Sequence, residues 1–123
     1  MILQKLLRIE IPIIQAPMAG VQGSALAVAV SNAGGLGSLP CAMLGVEAMR
    51  QELTEIQGQT TKPYNVNFFC HAQPGPDARR EAMWRQLLSP YFREFGIDAS
   101  AIPAGPGRVP FSAAAADVLE EFK

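Results

Sequence analysis

The most informative segment of the sequence is Ile11-Pro-Ile-Ile-Gln-Ala-Pro-Met-Ala-Gly20. Its apolar start is typical of a strand, its proline and glycine mark a turn, and a helical pattern follows directly. We predict a strand over 9–15 that is buried on both faces, as in a parallel sheet, and a turn over 16–23. Gly20 favours close approach of this turn to a ligand, because glycine carries no side chain.

The next residues predict a first helix. Ser24 is expected to cap it, and Gly34-Gly35 is expected to end it in a left-handed conformation. Leu26, Val30 and Ala33 recur at helical spacing, so we expect them to form its buried face. Residues 2–8 are expected to be a short helical or extended lead-in.

The same rhythm continues to residue 69. A short second strand over 36–39 is predicted to end at Pro40, since proline cannot donate to a central ladder. A second helix ending at Gly58 and a third strand over 64–69 follow. The apolar face of that helix is Val46, Met49, Leu53 and Ile56. This β-α-β-α-β order predicts a parallel sheet with right-handed crossovers.

The rhythm breaks after Cys70. Helices are predicted over 78–88 and, starting at Ser89-Pro90, over 91–95, and the aromatic side chains there are expected to form an insertion core or a subunit interface. Residues 96–110 are expected to be irregular, and Ser112 is expected to cap a last helix over 113–122. We interpret residues 70–112 as an insertion within a single domain over 1–123.

Composition limits the function classes. A chain of 123 residues is one domain at most, and its net charge of −1 gives no basic surface for nucleic acid or an anionic membrane. No apolar run approaches the roughly 20 residues of a membrane span, and the N-terminus lacks a signal-peptide core, so we expect a cytoplasmic protein. Cys41 and Cys70 are expected to be free thiols, with a disulfide or a reactive thiol as alternatives.

Ligands of parallel α/β folds bind beyond the carboxyl ends of the strands. Residues 16–20, 40–44 and 67–71 are expected to lie there. Paired carboxylates, a Ser-His-Asp set, metal-ligand spacing and a P-loop are all missing from these segments, and Gly34-Gly-Leu-Gly37 precedes a strand, unlike a dinucleotide fingerprint. The chemistry is therefore supplied by a cofactor, comes from residues outside this chain, or does not exist.

Three segments carry a family resemblance. They are Pro12-Ile-Ile-Gln-Ala-Pro-Met-Ala-Gly20, Ala29-Val-Ser-Asn-Ala-Gly-Gly-Leu-Gly37 and Pro63-Tyr-Asn-Val-Asn-Phe-Phe69. In order and spacing they closely resemble the opening of the nitronate monooxygenases, formerly called 2-nitropropane dioxygenases. The FMN-dependent enoyl-acyl-carrier-protein reductases share a similar first strand and Asn32-Ala-Gly-Gly-Leu-Gly37, and that activity stays open as the alternative.

The resemblance implies an α/β fold: the first three βα units of an FMN-dependent (β/α)8 TIM barrel, with a helical insertion after strand 3. It implies FMN as cofactor, no metal, and oxidation of an alkyl nitronate with molecular oxygen to a carbonyl compound and nitrite. By the same resemblance, the backbone of Ala16, Pro17 and Met18 faces the flavin, and Asn67 hydrogen-bonds the FMN. Asn65 is interpreted as structural.

The resemblance also implies missing parts. The catalytic histidine of the family lies on the fourth strand, beyond residue 123, so no catalytic residue is assigned here, and His71 is interpreted as an exposed loop residue. The glycine-rich phosphate loops also come later, and a complete barrel needs roughly 250 residues. We therefore expect an inactive N-terminal part of the enzyme. A non-catalytic fragment or interaction module is the alternative from another class.

The predicted partners are the small nitronate substrate and oxygen, with a homo-oligomer left open. Two open sheet edges would expose unpaired backbone groups. We therefore expect the isolated chain to be poorly soluble, oligomeric or molten.

Overall fold

The computed structural model of the chain describes residues 2–72, 75–102 and 110–123. Its elements are α1 (Ile2–Leu7), α2 (Ser24–Asn32), β1 (Gly37–Pro40), α3 (Val46–Gln59), β2 (Tyr64–Asn67), α4 (Ala78–Glu94) and α5 (Ala113–Glu121). Two compact units are present, residues 1–71 with 108–123, and residues 72–107. Helix α4 belongs to the second unit, and all the other elements belong to the first. Across the described ranges, no helix is both long and apolar enough to cross a bilayer.

The sheet is parallel, as predicted. β1 and β2 pair from Gly37 opposite Tyr64 to Pro40 opposite Asn67. This register turns Leu39 and Val66 toward the helices and places the side chains of the alternate residues on the other face of the sheet.

The predicted first strand reaches the sheet only near its end. Ile14 forms a parallel bridge with Leu36, and Gln15 N donates to the Leu36 carbonyl at 2.9 Å. The prediction that this strand is buried on both faces is wrong, since Ile13 is 56% exposed and Ile14 50% exposed. The reason is that the core forms around β1 and the helices and does not extend to these side chains.

The core of the first unit lies between the sheet and helices α2, α3 and α5. Met49, Leu53 and Ile56 of α3 are buried, which confirms the predicted face of that helix, whereas Val46 is exposed at its start. The predicted end at Gly58 is wrong by one residue, because the helix continues to Gln59. Among the described residues, the largest fully buried side chains are Leu39, Leu53, Ile56, Val118, Ser31 and Ser38.

The start of α2 differs from the prediction. Gly23, not Ser24, occupies the N-cap position. Ser24 is the first helical residue, and its backbone N donates to Glu52 Oε2 at 2.5 Å. A carboxylate on α3 therefore satisfies the end of α2, in place of a local cap.

The buried face of α2 also differs from the prediction. Ala27, Val28 and Ser31 are buried, whereas Leu26 is 38% exposed. The helix lies so close to β1 that a Cβ added at Gly37 would be 2.0 Å from the Ala27 carbonyl oxygen. Small residues are required at such a contact, so Ala27 lies on the buried side. The helix stop is confirmed at Gly34, whose φ is +91°.

The second unit is built on α4. Asp77 caps it by accepting a hydrogen bond from Arg80 N at 3.0 Å. The predicted new helix start at Ser89-Pro90 is wrong, because Pro90 lies inside one continuous helix. Helix α4 buries no side chain, so the structure shows no insertion core around its described residues. Trp84, Tyr91 and Phe95 are exposed.

The cap of the last helix and the free thiols agree with the predictions, whereas the helix ends at Glu121, one residue before the predicted end. Ser112 Oγ accepts a hydrogen bond from Ala115 N at 3.2 Å and caps α5. Cys41 and Cys70 are both free, the first buried and the second exposed. The part of the predicted irregular segment over 103–109 lies outside the described residues.

Candidate functional site

Three predicted segments meet at the carboxyl edge of the sheet. Residues 16–20 follow the first strand, residues 41–44 follow β1, and residues 68–71 follow β2. Cys41 N donates to the Asn67 carbonyl at 2.9 Å and joins the ends of β1 and β2. A Cβ on Gly20 would be 3.8 Å from Met43 Sδ, so the turn lies beside the segment that follows β1.

The turn presents free backbone donors. Its backbone is closed by a hydrogen bond of 3.3 Å from Val21 N to the Met18 carbonyl, and Gly20 adopts a φ of +81°. Within the described part of the chain, the N–H groups of Ala16, Met18 and Ala19 have no acceptor. These groups are therefore available to a ligand or to water.

Asn67 lies at the end of β2 on the sheet face opposite the hydrophobic core, and it is half-buried. Its side-chain amide forms no hydrogen bond with any described residue. Asn65, two residues earlier on the same face, donates from Nδ2 to Ser38 Oγ at 3.2 Å, which supports its structural interpretation. The Asn67 amide, which lies at the same edge of the sheet as the free turn amides, can both donate to and accept from a polar ligand.

The edge is electrically neutral. Residues 16–23, 41–46 and 68–72 contain no lysine or arginine. Burial raises the pKa of the Cys41 thiol to about 11, so this group stays protonated and weakly nucleophilic at neutral pH. His71 is exposed, as predicted, with its ring edge-on to Phe69 at 6.0 Å between centroids.

These features set what the edge can do. It offers hydrogen bonds to a neutral polar ligand and has no cation for a phosphate group. Among the described residues, no cluster of His, Cys, Asp or Glu could hold a metal ion.

A cavity lies elsewhere, along α4. It has a volume of about 570 Å³ and is open to solvent. Its described lining is Arg80, Met83, Trp84, Gln86 and Leu87. These side chains come from one helix and include no set of convergent polar groups, so we do not place the functional site there.

Sequence reasoning missed Gln15 and Gln22. Gln15 Nε2 donates to Gln22 Oε1 at 2.6 Å, and both side chains also bond the backbone of Ser38. Two glutamines that bracket a turn at a strand end are a signal that could have suggested side-chain bonds to the backbone.

The order and pairing of the strands and helices identify the type of fold. Parallel strands joined by helices, which superpose on a solved nitroalkane oxidase, are the first βα units of a (β/α)8 barrel. The sequence model of the nitronate monooxygenase family matches residues 1–100, and the chain belongs to that family.

Individual relatives agree with this assignment. Nitronate monooxygenase from Pseudomonas aeruginosa is 51% identical over 94 residues, which cover 76% of this chain and 27% of that protein. The enzyme of the same name from Paraburkholderia phytofirmans is 48% identical over 96 residues, which cover 78% of this chain and 26% of that protein. The chain thus spans about a quarter of the length of the curated relatives it matches.

Solved structures are similar as well. Nitroalkane oxidase from Streptomyces ansochromogenes superposes with a TM-score of 0.64 at 31% identity, over 89% of this chain and 29% of that one. FabK from Thermotoga maritima superposes with a TM-score of 0.54 at 29% identity, over 77% of this chain and 27% of that one. Both confirm the predicted barrel-type fold.

Proposed function

We propose that this chain supplies the flavin-facing first part of an FMN-dependent enzyme that oxidises alkyl nitronates with molecular oxygen to carbonyl compounds and nitrite. One observation supports it most directly: the unpartnered Asn67 amide lies at the same neutral edge as the free amides of the 16–19 turn. Membership of the nitronate monooxygenase family and likeness to a nitroalkane oxidase support the class of reaction.

The residues at the edge fit a flavin ring. The backbone of Ala16, Pro17 and Met18 would line the ring, and the Asn67 amide would hydrogen-bond its polar edge. Met18 is 44% exposed and would help to exclude water from the bound ring. Bound FMN would supply the two-electron chemistry that these side chains lack. Because the edge carries no cation, the phosphate would be held by other residues.

This chain's own residues bind and orient, and we propose that they do not transfer the proton. The Cys41 thiol is held neutral by burial, and His71 lies in the exposed loop after β2. We therefore propose that the chain alone binds flavin without turnover. We also propose that residues 70–112 form an insertion within one barrel domain, which the separate compactness of residues 72–107 supports.

A visible-absorption titration of the purified chain with FMN tests the flavin site. We expect saturable binding with a perturbed flavin band, and weaker binding in Asn67→Ala. The stability of this variant should stay within about 0.5 kcal/mol of wild type, because the amide loses no protein partner. Gln51→Ala, on the exposed surface of α3, is the control and should change neither quantity.

Two outcomes would contradict the proposal: no FMN binding by the wild-type chain, or equal FMN affinity in wild type and Asn67→Ala. If flavin binds, nitronate-dependent oxygen uptake tests turnover. Flavin-dependent enoyl reduction is the second candidate, because the segment 32–37 is shared with those reductases, and NADH oxidation distinguishes it. Binding without either turnover is the result we expect of this chain alone, and turnover of either kind would contradict that part of the proposal.

A further inference from the structure

The parallel ladder between the first strand and β1 stops after one complete rung. Leu36 N donates to the Ile13 carbonyl at 2.9 Å, and Gln15 N donates to the Leu36 carbonyl at 2.9 Å. Evenly spaced parallel pairing would continue with Ser38 N donating to the Gln15 carbonyl, and with the N–H of residue 17 donating to the Ser38 carbonyl. Residue 17 is proline and has no N–H, so this second bond cannot form.

Side-chain amides take the place of the missing rung. Ser38 N donates to Gln15 Oε1 at 3.0 Å, where an extended ladder would use the Gln15 carbonyl. The Ser38 carbonyl accepts from Gln22 Nε2 at 2.7 Å, where an extended ladder would use residue 17. The Gln15 carbonyl accepts from Ser38 Oγ at 2.7 Å, so it too is satisfied. Each backbone group of the absent rung therefore has a partner.

The two amides are also joined to each other and to the turn. Gln15 Nε2 donates to Gln22 Oε1 at 2.6 Å and to the Ala16 carbonyl at 3.1 Å. Ser38 is fully buried, so its backbone groups depend on these partners more than exposed groups would. A bridge through a glutamine side chain spans a longer distance than a direct hydrogen bond between two backbones. Residues 16–20 are therefore held farther from β1 than a ladder would hold them.

We propose that Gln15 and Gln22 are positioning residues: by replacing the rung that Pro17 forbids, their amides hold the turn away from β1 with its N–H groups free for the cofactor. This inference rests on the proposed flavin site and deepens it. A turn paired with β1 would use its backbone donors within the sheet. A turn without the glutamines would leave the Ser38 backbone groups unsatisfied, and the turn would have no fixed place.

Methionine variants separate positioning from general stability. Gln15→Met and Gln22→Met keep the length of the side chain and remove its amide. Gln51→Met makes the same change on the exposed surface of α3 and is the matched control. The readouts are single-residue hydrogen exchange of the free chain and the Kd for FMN from an absorbance titration.

We expect the Ser38 amide to exchange about five- to ten-fold faster in Gln15→Met, because it loses its acceptor, while amides of α3 keep their wild-type rates. We expect the Kd for FMN to rise about ten-fold in both Gln15→Met and Gln22→Met, and to stay unchanged in Gln51→Met. If Gln15→Met fails to fold, Gln22→Met still tests the positioning role. Its Kd for FMN should rise while the amides of α3 keep their wild-type exchange rates, which shows that the variant is folded.

The outcomes are distinguishable. Unchanged Ser38 exchange in Gln15→Met would overturn the rung replacement. Faster exchange with an unchanged Kd would overturn the positioning role and leave a purely structural one. If the wild-type chain binds no FMN, the proposed function fails for this chain. In that case, faster Ser38 exchange in Gln15→Met would still support the role of the glutamines in holding the turn away from β1, and unchanged exchange would overturn it.

Discussion

Gly37 and Gly58 allow the same methyl group to be added with opposite expected effects. At Gly37, where β1 starts, a Cβ would lie 2.0 Å from the Ala27 carbonyl oxygen and 2.7 Å from the Ala27 carbonyl carbon. Both are backbone atoms of α2, so no side-chain rotation can relieve the contact. Restoring an ordinary separation of about 3.5 Å requires α2 to move by roughly 1 to 1.5 Å.

Such a movement would disturb a buried contact. Ala27 and Val28 pack against the sheet, and Ser31 Oγ accepts a hydrogen bond from Gly37 N at 3.1 Å. Overpacking costs about 1–3 kcal/mol, and more where backbone must shift, so we expect Gly37→Ala to lose at least about 3 kcal/mol of stability. This is a large share of the roughly 5–15 kcal/mol that stabilises a domain.

Gly58→Ala is the matched control. Gly58 lies within α3, and a Cβ there would meet nothing within 4 Å. Alanine is a better helix former than glycine by about 0.8–1 kcal/mol, so this variant should be more stable than wild type by that amount. The two variants should therefore differ by at least about 4 kcal/mol.

Urea denaturation followed by circular dichroism at 222 nm measures both effects. We expect the midpoint to fall for Gly37→Ala and to rise for Gly58→Ala, with similar slopes. A Gly37→Ala chain as stable as wild type would refute the close approach of α2 to β1. Two variants within about 1 kcal/mol of each other would refute it equally.

Four further predictions concern a buried hydroxyl, the two thiols and an ion pair. Ser31→Ala should cost about 2 kcal/mol in urea denaturation, because its fully buried hydroxyl donates one hydrogen bond at 2.9 Å and accepts another at 3.1 Å; a loss below about 0.5 kcal/mol would contradict this. In the folded chain, a thiol reagent should modify Cys70 rapidly and Cys41 only on unfolding, so fast labelling that survives Cys70→Ser would count against the burial of Cys41. Since burial raises the pKa of Cys41 from 9.0 to about 11, stability should fall by about 2–3 kcal/mol as pH rises between these values, and Cys41→Ala should abolish that part of the fall. Lys62 Nζ lies 2.6 Å from Glu10 Oε1 and lowers the pKa of this carboxyl from 4.5, so the pair stabilises the fold above pH 4.5 and loses its effect as pH falls through the lowered value. Lys62→Met should return the pKa of Glu10 toward 4.5 in an NMR titration, and an unchanged value would exclude the ion pair in solution.

Much of the fold could be predicted because its signals are local. The apolar period of α3, the left-handed glycine at 34 and the Ser112 cap depend on neighbours in the sequence. The face of α2 could not be predicted in the same way, because hydrophobicity favours Leu26 whereas the close contact with Gly37 favours Ala27. Ser24 was misassigned for a related reason, since its helix end is satisfied by a carboxylate from another helix.

Part of the candidate site could also be predicted from the sequence, and part depends on contacts between distant residues. Parallel topology places the 16–20 turn and Asn67 at one edge, and this much follows from the order of strands and helices. The role of Gln15 and Gln22 depends on a missing N–H at Pro17, which becomes visible only when the strands are paired. Flavin contact by Ala16, Pro17, Met18 and Asn67 stays a prediction, as does the poor solubility of the isolated chain.

The two segments of the first unit that flank residues 72–107 in the sequence lie side by side. Phe111 N donates to the Phe69 carbonyl at 2.7 Å, Phe69 bridges Pro110 in parallel, and the rings of Phe68 and Phe111 meet edge-on at 4.9 Å between centroids. A segment whose ends are already held together can change length at little entropic cost, because closing a loop depends only weakly on how many residues it contains. The residues between these paired segments could therefore be replaced by a short turn, in evolution or by design, without a change in the fold of the first unit.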